Sequence, residues 1–455
     1  MTDSQGGRGI TGARETRASY AGGVEATPGQ GVALGRLLDM AENAAPVDAV
    51  EAVTRTLCAQ TGATEASFLI ADLSGRALVC LAHVLGADSG GAGPEPDGVR
   101  WDLEESAAVL PFDGGPVEQA VRTQTLKVLP PDGPGGQWRV LAPVTERGEM
   151  VGLLEMRLPV EPTPAWCADI VRTAHVLAFV VIANRRHTDL FEWSQRSTPF
   201  SLPAEIQRRL LPAAFTCEGG AFTLSGWLEP AASIGGDSFD YSVARNLLHL
   251  SLTDAMGHGV ASALIATLGV GSLRNTRRLG GTLAEQAAAA NLALLEHAEE
   301  LATEGFMTGL LGRLDLRTGV MALVNAGHIA PFLARAGRVA RVGLPVDLPL
   351  GIFADSPYRT TDLVLEPGDR LVLVTDGMLE RSAAALDLVD EIGQTRALHP
   401  RETTRQLADN VLEVAGPELA DDATLLVLDW HGQHGRERVT VGGSNAGEHG
   451  ATGRS

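Results

Sequence analysis

The feature that most constrains this 455-residue chain is a series of short apolar runs in its second half, LLHLSL, VMALVNA, RLVLVT and TLLVLDW. Each has the length of a strand, and VMALVNA, RLVLVT and TLLVLDW are apolar at consecutive rather than alternate positions. Successive side chains of a strand point to opposite faces, so such runs need cover on both sides. Between them lie two stretches with helical texture, GVASALIATLGVGSLRN and LAEQAAAANLALLEHAEELA. These parts fit sheets enclosed by helices, with acidic residues emerging where the strands end.

Those acidic residues sit in small-residue turns: Gly235-Gly236-Asp237, Thr253-Asp254-Ala255-Met256-Gly257, Thr375-Asp376-Gly377 and Asp421-Asp422-Ala423. The second and third directly follow apolar strands, and the last opens one. A single Asp-Gly is an ordinary turn dipeptide; the chemistry lies in the set. Four carboxylates at strand ends without flanking Lys or Arg repel one another unless a cation lies between them. Hard oxygen donors without clustered His or Cys favour Mg²⁺ or Mn²⁺ over Zn²⁺.

A formal net charge of −20 argues against nucleic acid as a main partner. Cys58, Cys80, Cys167 and Cys217 are widely spaced and form no CxxC pair, which suits a reducing cytosol. The longest strongly apolar run, Val176 to Ala183, is far short of a membrane span. The expectation is a cytoplasmic protein with no membrane partner. Residues 1–30 read as a disordered leader without a signal-peptide core, and residues 431–455 as a disordered tail in which His431 and His434 are solvated.

Residues 31–162 alternate helix and strand: a helical stretch, strands at ASFLIADL and ALVCLAHVL, a Gly/Pro-rich loop, the short helix PVEQAVRTQ, and strands WRVLAPVTE and MVGLLEMRL joined by RGE. This order, and the phrase LAPVTERGEMVGLLEM above all, resembles a GAF domain, which implies a small-molecule sensor of unidentified ligand. Cys80 and His83 read as buried strand residues rather than cofactor anchors. Residues 163–199 form a linker, with Ile170, Ala174, Leu177, Ala178 and Val181 at helical spacing. That stripe fits packing on the first domain or a dimerising signal helix, and both readings stay open.

Residues 200–430 resemble the PPM (type 2C) metal-dependent Ser/Thr phosphatases, in particular the bacterial SpoIIE- and RsbU-like regulators. EIQRRLLP looks like the opening helix. AASIGGDSFD and LTDAMGHGVASAL match the two early acidic motifs, FMTGLLGRLDLRTG and LVNAGHIAPFL the central strands, and LPLGIF the segment after them. LVTDGMLE and DDATLLVL match the late metal motifs. The resemblance implies an α-β-β-α sandwich holding two divalent cations, Mn²⁺ or Mg²⁺. Asp254 would bridge them, the Ala255 carbonyl and Asp237 would add ligands, and Asp376 and Asp421 would hold the other ion. It further implies in-line attack on a phosphoserine or phosphothreonine by a water the metals activate. The partner it suggests is a phosphorylated STAS-domain anti-anti-sigma protein.

Among neighbouring residues, Asp240 is expected to orient Asp237 or a metal-bound water. Strand alternation and family register favour Asp421 over Asp422 as ligand. His258 is read as a helix-terminal polar residue rather than the general acid, and Asn325 with His328 as a turn pin. Ser238-Phe239 stands where the family usually pairs aromatics. Two rival readings remain: a non-catalytic scaffold, and a protein whose main event is ligand binding to the first domain.

Overall fold

The computed structural model describes residues 33–86, 109–196, 199–229, 235–301, 304–379, 387–415, 422–433, 440 and 442–444. The expected leader and His434 lie outside the described residues.

The first domain begins with helices α1 (Leu34–Asn43) and α2 (Ala49–Thr61). Strands β1 (Glu65–Ala71), β2 (Ala77–Leu85) and β3 (Val109–Pro111), helix α3 (Pro116–Thr123), and strands β4 (Lys127–Leu129), β5 (Trp138–Glu146) and β6 (Glu149–Leu158) follow. The strands form one antiparallel sheet in the order β3-β2-β1-β6-β5-β4. Arg147 and Gly148 both take positive φ, 46° and 80°, as a tight two-residue hairpin requires.

Helix α4 (Pro164–Asn184) is capped by the Thr163 hydroxyl and carries the predicted stripe. Ile170, Ala174, Leu177, Ala178 and Val181 all pack into the core between α1, α2 and the sheet. The stripe therefore serves packing on the first domain. Among the described residues α4 is the one helix long and apolar enough to cross a membrane, and its buried side belongs to that core. On β2, Cys80 is half-buried and His83 is exposed and bonded to Ser67 at 2.8 Å; both are more open than expected.

A short helix α5 (Leu190–Ser194) leads to the second domain. Its elements are α6 (Leu202–Leu210), β7 (Thr216–Glu218), β8 (Phe222–Glu229), β9 (Asp237–Val243), β10 (Leu247–Ala255), α7 (Val260–Arg278), α8 (Leu283–Leu301), β11 (Met307–Asp315) and β12 (Val320–Ala326). The chain continues through β13 (Phe332–Arg335), β14 (Arg338–Arg341), β15 (Thr361–Val364), β16 (Arg370–Val374), α9 (Leu388–Gln394), α10 (Pro400–Ala415) and β17 (Ala423–Trp430). Two sheets result, β15-β12-β11-β10-β9 and β14-β13-β16-β17-β8-β7.

The consecutively apolar runs explain how these layers stack. On β16, Leu371 and Leu373 join the core between the sheets, whereas Val372 and Val374 face α9 and α10. On β17, Leu426 and Leu428 point inward, and Leu425 and Val427 outward. The other sheet splits likewise: Leu310 and Leu314 enter the central core, and Leu311 and Val324 meet α7 and α8. Each sheet is covered on both faces, which is the α-β-β-α sandwich expected from the sequence.

The domains meet through polar groups. Thr216 N–H donates to Glu149 at 2.7 Å, Glu218 N–H to the Arg147 carbonyl at 2.8 Å, and Arg401 to the Gly148 carbonyl at 3.1 Å. Arg76 pairs with Glu229 at 2.8 Å and Asp409 at 3.1 Å. Loss of solvent at this junction raises the Glu149 carboxyl above its ordinary range. The disordered-tail expectation needs correction here. His431 is held at the start of β8 by the Ala221 carbonyl and the Thr223 hydroxyl, and Gly442 and Gly443 accept hydrogen bonds from Thr145 and Gly148 of the first domain.

Candidate metal centre

Asp237 and Asp254 face each other directly across the β9–β10 ladder. Directly opposed side chains share a face of the sheet, with β-carbons about 5 Å apart, and like charges there are destabilising. Asp237 is buried, and Asp254 is half-buried at the strand end. Burial first, then the charges of Asp254 and Asp422, push the Asp237 carboxyl well above the usual carboxylate range, against hydroxyls of Thr424 and Thr375. A cation between the carboxylates would reverse that balance.

Two glycines shape the space around the pair. A β-carbon at Gly236 would lie 2.9 Å from the Ala255 carbonyl oxygen, so glycine leaves that oxygen approachable. Gly377, in the single turn Asp376–Met378 after β16, lies so close to the next strand that a β-carbon would be 2.0 Å from the Asp422 carbonyl. This contact brings exposed Asp376 beside the start of β17. Asp421 lies outside the described residues. Among the described residues no three His, Cys, Asp or Glu side chains converge as a finished cage, yet carboxylates and a carbonyl are the donors a hard divalent ion takes.

The neighbours divide into those that serve this pair and those that do not. Asp422 is buried and points to the Asp237 backbone, where its Oδ2 accepts from Gly236 N–H at 2.9 Å and Asp237 N–H at 3.2 Å. Asp240 departs from expectation. Three residues from Asp237 on a strand, it faces the other side, where Arg274 at 2.9 Å and Arg277 at 2.9 Å bind it to α7. It anchors that helix rather than orienting Asp237. His258 is exposed in the turn before α7. Asn325 does pin the turn, accepting from His328 N–H at 2.7 Å and donating to its carbonyl at 2.9 Å. The His328 ring bonds Thr308, directly opposite Asp254 on β11, and burial lowers its pKa to about 4.

Two residues escaped the sequence reading. Thr375 donates from its hydroxyl to Asp237 Oδ2 at 2.7 Å. Gln207, 2% exposed on α6, reaches the same loop. Its signal was present: Ala204, Gln207 and Leu210 are spaced by three in AEIQRRL, which puts a polar residue on the inner face of an amphipathic helix.

Residues 245–431 match the family model "Stage II sporulation protein E (SpoIIE)". The second domain is a SpoIIE-family PPM phosphatase domain. The chain that carries this SpoIIE domain is a protein phosphatase. It is 23% identical over 276 residues to the phosphoserine phosphatase RsbU of Bacillus subtilis (strain 168), covering 58% of this chain and 81% of RsbU. It is 23% identical over 225 residues to the phosphoserine phosphatase RsbP of the same organism, covering 45% of this chain and 52% of RsbP. Among solved structures, the SiaA-PP2C domain of Pseudomonas aeruginosa aligns with 22% identity and a TM-score of 0.42, covering 50% of this chain and 94% of that one.

Proposed function

We propose that this protein is a sensor-coupled, metal-dependent phosphatase that removes phosphate from Ser or Thr of a regulatory partner, of the phosphorylated STAS-domain anti-anti-sigma type. The observation that carries this reading is the Asp237–Asp254 pair, opposed across a ladder where burial of Asp237 and the charge of Asp254 disfavour two ionised carboxylates and a cation between them would relieve the repulsion. Asp254 would hold both of two divalent ions, Mn²⁺ or Mg²⁺. The Ala255 carbonyl and Asp237 would complete one side, and Asp376 and Asp421 the other. When bound, such ions neutralise phosphoryl oxygens and supply a nucleophilic water near neutral pH. The chain's own residues fix the carboxylates: Thr375 holds Oδ2 of Asp237, and the Gly377 contact sets Asp376 beside β17.

Residues 31–162 form the GAF-like sensor in this reading, binding an unidentified small molecule, and residues 163–199 join it to the SpoIIE domain at 200–430. The polar junction, where the β5–β6 hairpin meets β7 and α10, supports coupling between the two. A homodimer through α4 would use the part of the helix outside its buried stripe, where Phe179 and Ile182 are exposed. A cytoplasmic location completes the reading.

The test is incubation of the full chain and Mn²⁺ with candidate phosphorylated STAS-domain proteins, scored by loss of phosphate. Dephosphorylation of one of them by the wild type, and not by Asp254→Asn, is expected. Retained phosphate on every candidate would refute that partner class.

A further inference from the structure

Asp422, which strand alternation was expected to turn away from the metals, is a further carboxylate buried beside Asp237. Like charges gathered in a desolvated place are unfavourable, so a position needing only a stable strand start would be better served by a neutral residue. The contacts give it a different task. Asp422 Oδ2 accepts from three donors: Gly236 N–H at 2.9 Å, Asp237 N–H at 3.2 Å and the Gln207 side-chain amide at 2.8 Å. The Gln207 Nε2 also donates to the Asp237 main-chain carbonyl at 2.9 Å. An amide nitrogen carries two hydrogens, and each is used once.

The result is a closed ring. The Gln207 amide joins the Asp422 carboxylate to the Asp237 carbonyl, and the Asp237 N–H returns to the carboxylate. Gln207, Asp422 and Asp237 are each 2% exposed, so water does not compete for these bonds. Donors to an ionised acceptor make the stronger class of hydrogen bond. The ring immobilises the backbone of Gly236-Asp237 from both sides of the peptide, while the Thr375 hydroxyl fixes the side chain. It also satisfies Asp422 with N–H groups.

We propose that Gln207 and Asp422 are positioning residues that hold Asp237 in its metal-binding geometry; this rests on Asp237 being a metal ligand. Residues that orient metal ligands set affinity as well as placement, and their loss lowers metal affinity by about 10–100-fold. A plain structural tie between α6 and β17 would instead lower stability and leave metal affinity alone.

The test compares full-length wild type with Gln207→Leu, Asp422→Asn and the double variant. Mn²⁺ affinity is read by isothermal titration calorimetry, and metal-free stability by the melting temperature in EDTA. The Mn²⁺ half-saturation and KM for p-nitrophenyl phosphate are measured in parallel. The expected result is an Mn²⁺ affinity about 10–100-fold weaker in each single variant, with the double variant no worse than the weaker single. The Mn²⁺ half-saturation should rise by the same factor while the KM for p-nitrophenyl phosphate moves by less than about threefold. Mn²⁺ affinity within about twofold of wild type, with a lowered melting temperature in EDTA, would overturn the proposal and leave a structural tie. Gln207→Met keeps the stem without a donor and takes the place of the leucine variant if that one does not fold. Wild type that binds no Mn²⁺ would refute the ligand role of Asp237, and this proposal with it.

Discussion

Replacing Gly377 by alanine tests how the late metal motif is held. Gly377 does not have the positive φ that would strain alanine; its constraint is the neighbouring backbone. The new β-carbon would lie 2.0 Å from the Asp422 carbonyl oxygen, 2.7 Å from its carbonyl carbon and 3.1 Å from Ala423 Cα. Real β-carbons essentially never approach closer than 3.0 Å, so the turn and the strand must part by about 1 Å. Neither can swing aside, because β17 is paired on both edges, with β16 and with β8. Overpacking of this kind costs about 1–3 kcal/mol. A displacement of about 1 Å in a group that positions reactants lowers the rate by roughly 100-fold. Gly377→Ala should therefore lower kcat/KM for p-nitrophenyl phosphate with Mn²⁺ by about two orders of magnitude and reduce the unfolding free energy measured in urea by about 1–3 kcal/mol. Gly271→Ala on α7, where a β-carbon meets nothing within 4 Å, is the control and should be neutral or slightly stabilising. If Gly377→Ala kept kcat/KM within about threefold of wild type at unchanged stability, the close approach would not be what sets Asp376.

Three further outcomes follow from contacts outside the carboxylate pair. Arg370 is buried and makes a two-pronged pair with Asp429 at 2.6 and 2.8 Å, plus bonds to Thr395, Leu398 and Thr403. Arg370→Met should cost ~3–5 kcal/mol in urea unfolding, and a loss below about 1 kcal/mol would contradict it. The folded-state pKa of His328, about 4, lies below the unfolded value, so the unfolded chain takes up the extra proton. Its contribution is complete above about pH 6.5 and is lost as pH falls toward 4; between pH 7 and 5 it removes roughly 2 kcal/mol. His328→Gln should flatten the pH dependence of stability over that window by this amount, and identical slopes would refute the assignment. Arg76→Ala removes the pairs to Glu229 and Asp409 and the approach to the Trp227 ring. Hydrogen exchange at the junction strands β7 and β8 should speed up about fivefold, since half-screened pairs contribute ~1 kcal/mol. Unchanged exchange there would mean that Arg76 does not hold the domains together.

Where one strand decides a residue's surroundings, the sequence was enough. Consecutive apolar residues in RLVLVT and TLLVLDW required covered faces, and Leu371 and Val372 do point to opposite layers. The carboxylates at strand ends were equally legible, and Asp254 meets Asp237 in register. Asp240 was misread although parity was available: a residue three along a strand from Asp237 faces the other way. Its true partners, Arg274 and Arg277, lie more than thirty residues away in sequence and become neighbours only when α7 packs on the sheet. Non-local geometry likewise hid the ring around Asp422, which joins an early helix to the last strand. The hairpin at Arg147-Gly148 was readable as a turn. That it docks on β7 and α10 was not, because nothing local in ERGE marks a partner in another domain.

The central claim is that the aspartates around Asp254 form a metal site that performs phosphate-ester hydrolysis. The most direct measurement is p-nitrophenyl phosphate hydrolysis by wild type and Asp254→Asn across a Mn²⁺ titration, with folding of both checked by circular dichroism. The expected result is wild-type turnover that requires Mn²⁺ or Mg²⁺ and is abolished by EDTA, and a folded Asp254→Asn that is inactive at every Mn²⁺ concentration. Turnover by Asp254→Asn equal to wild type, or wild-type turnover undiminished in EDTA, would contradict it.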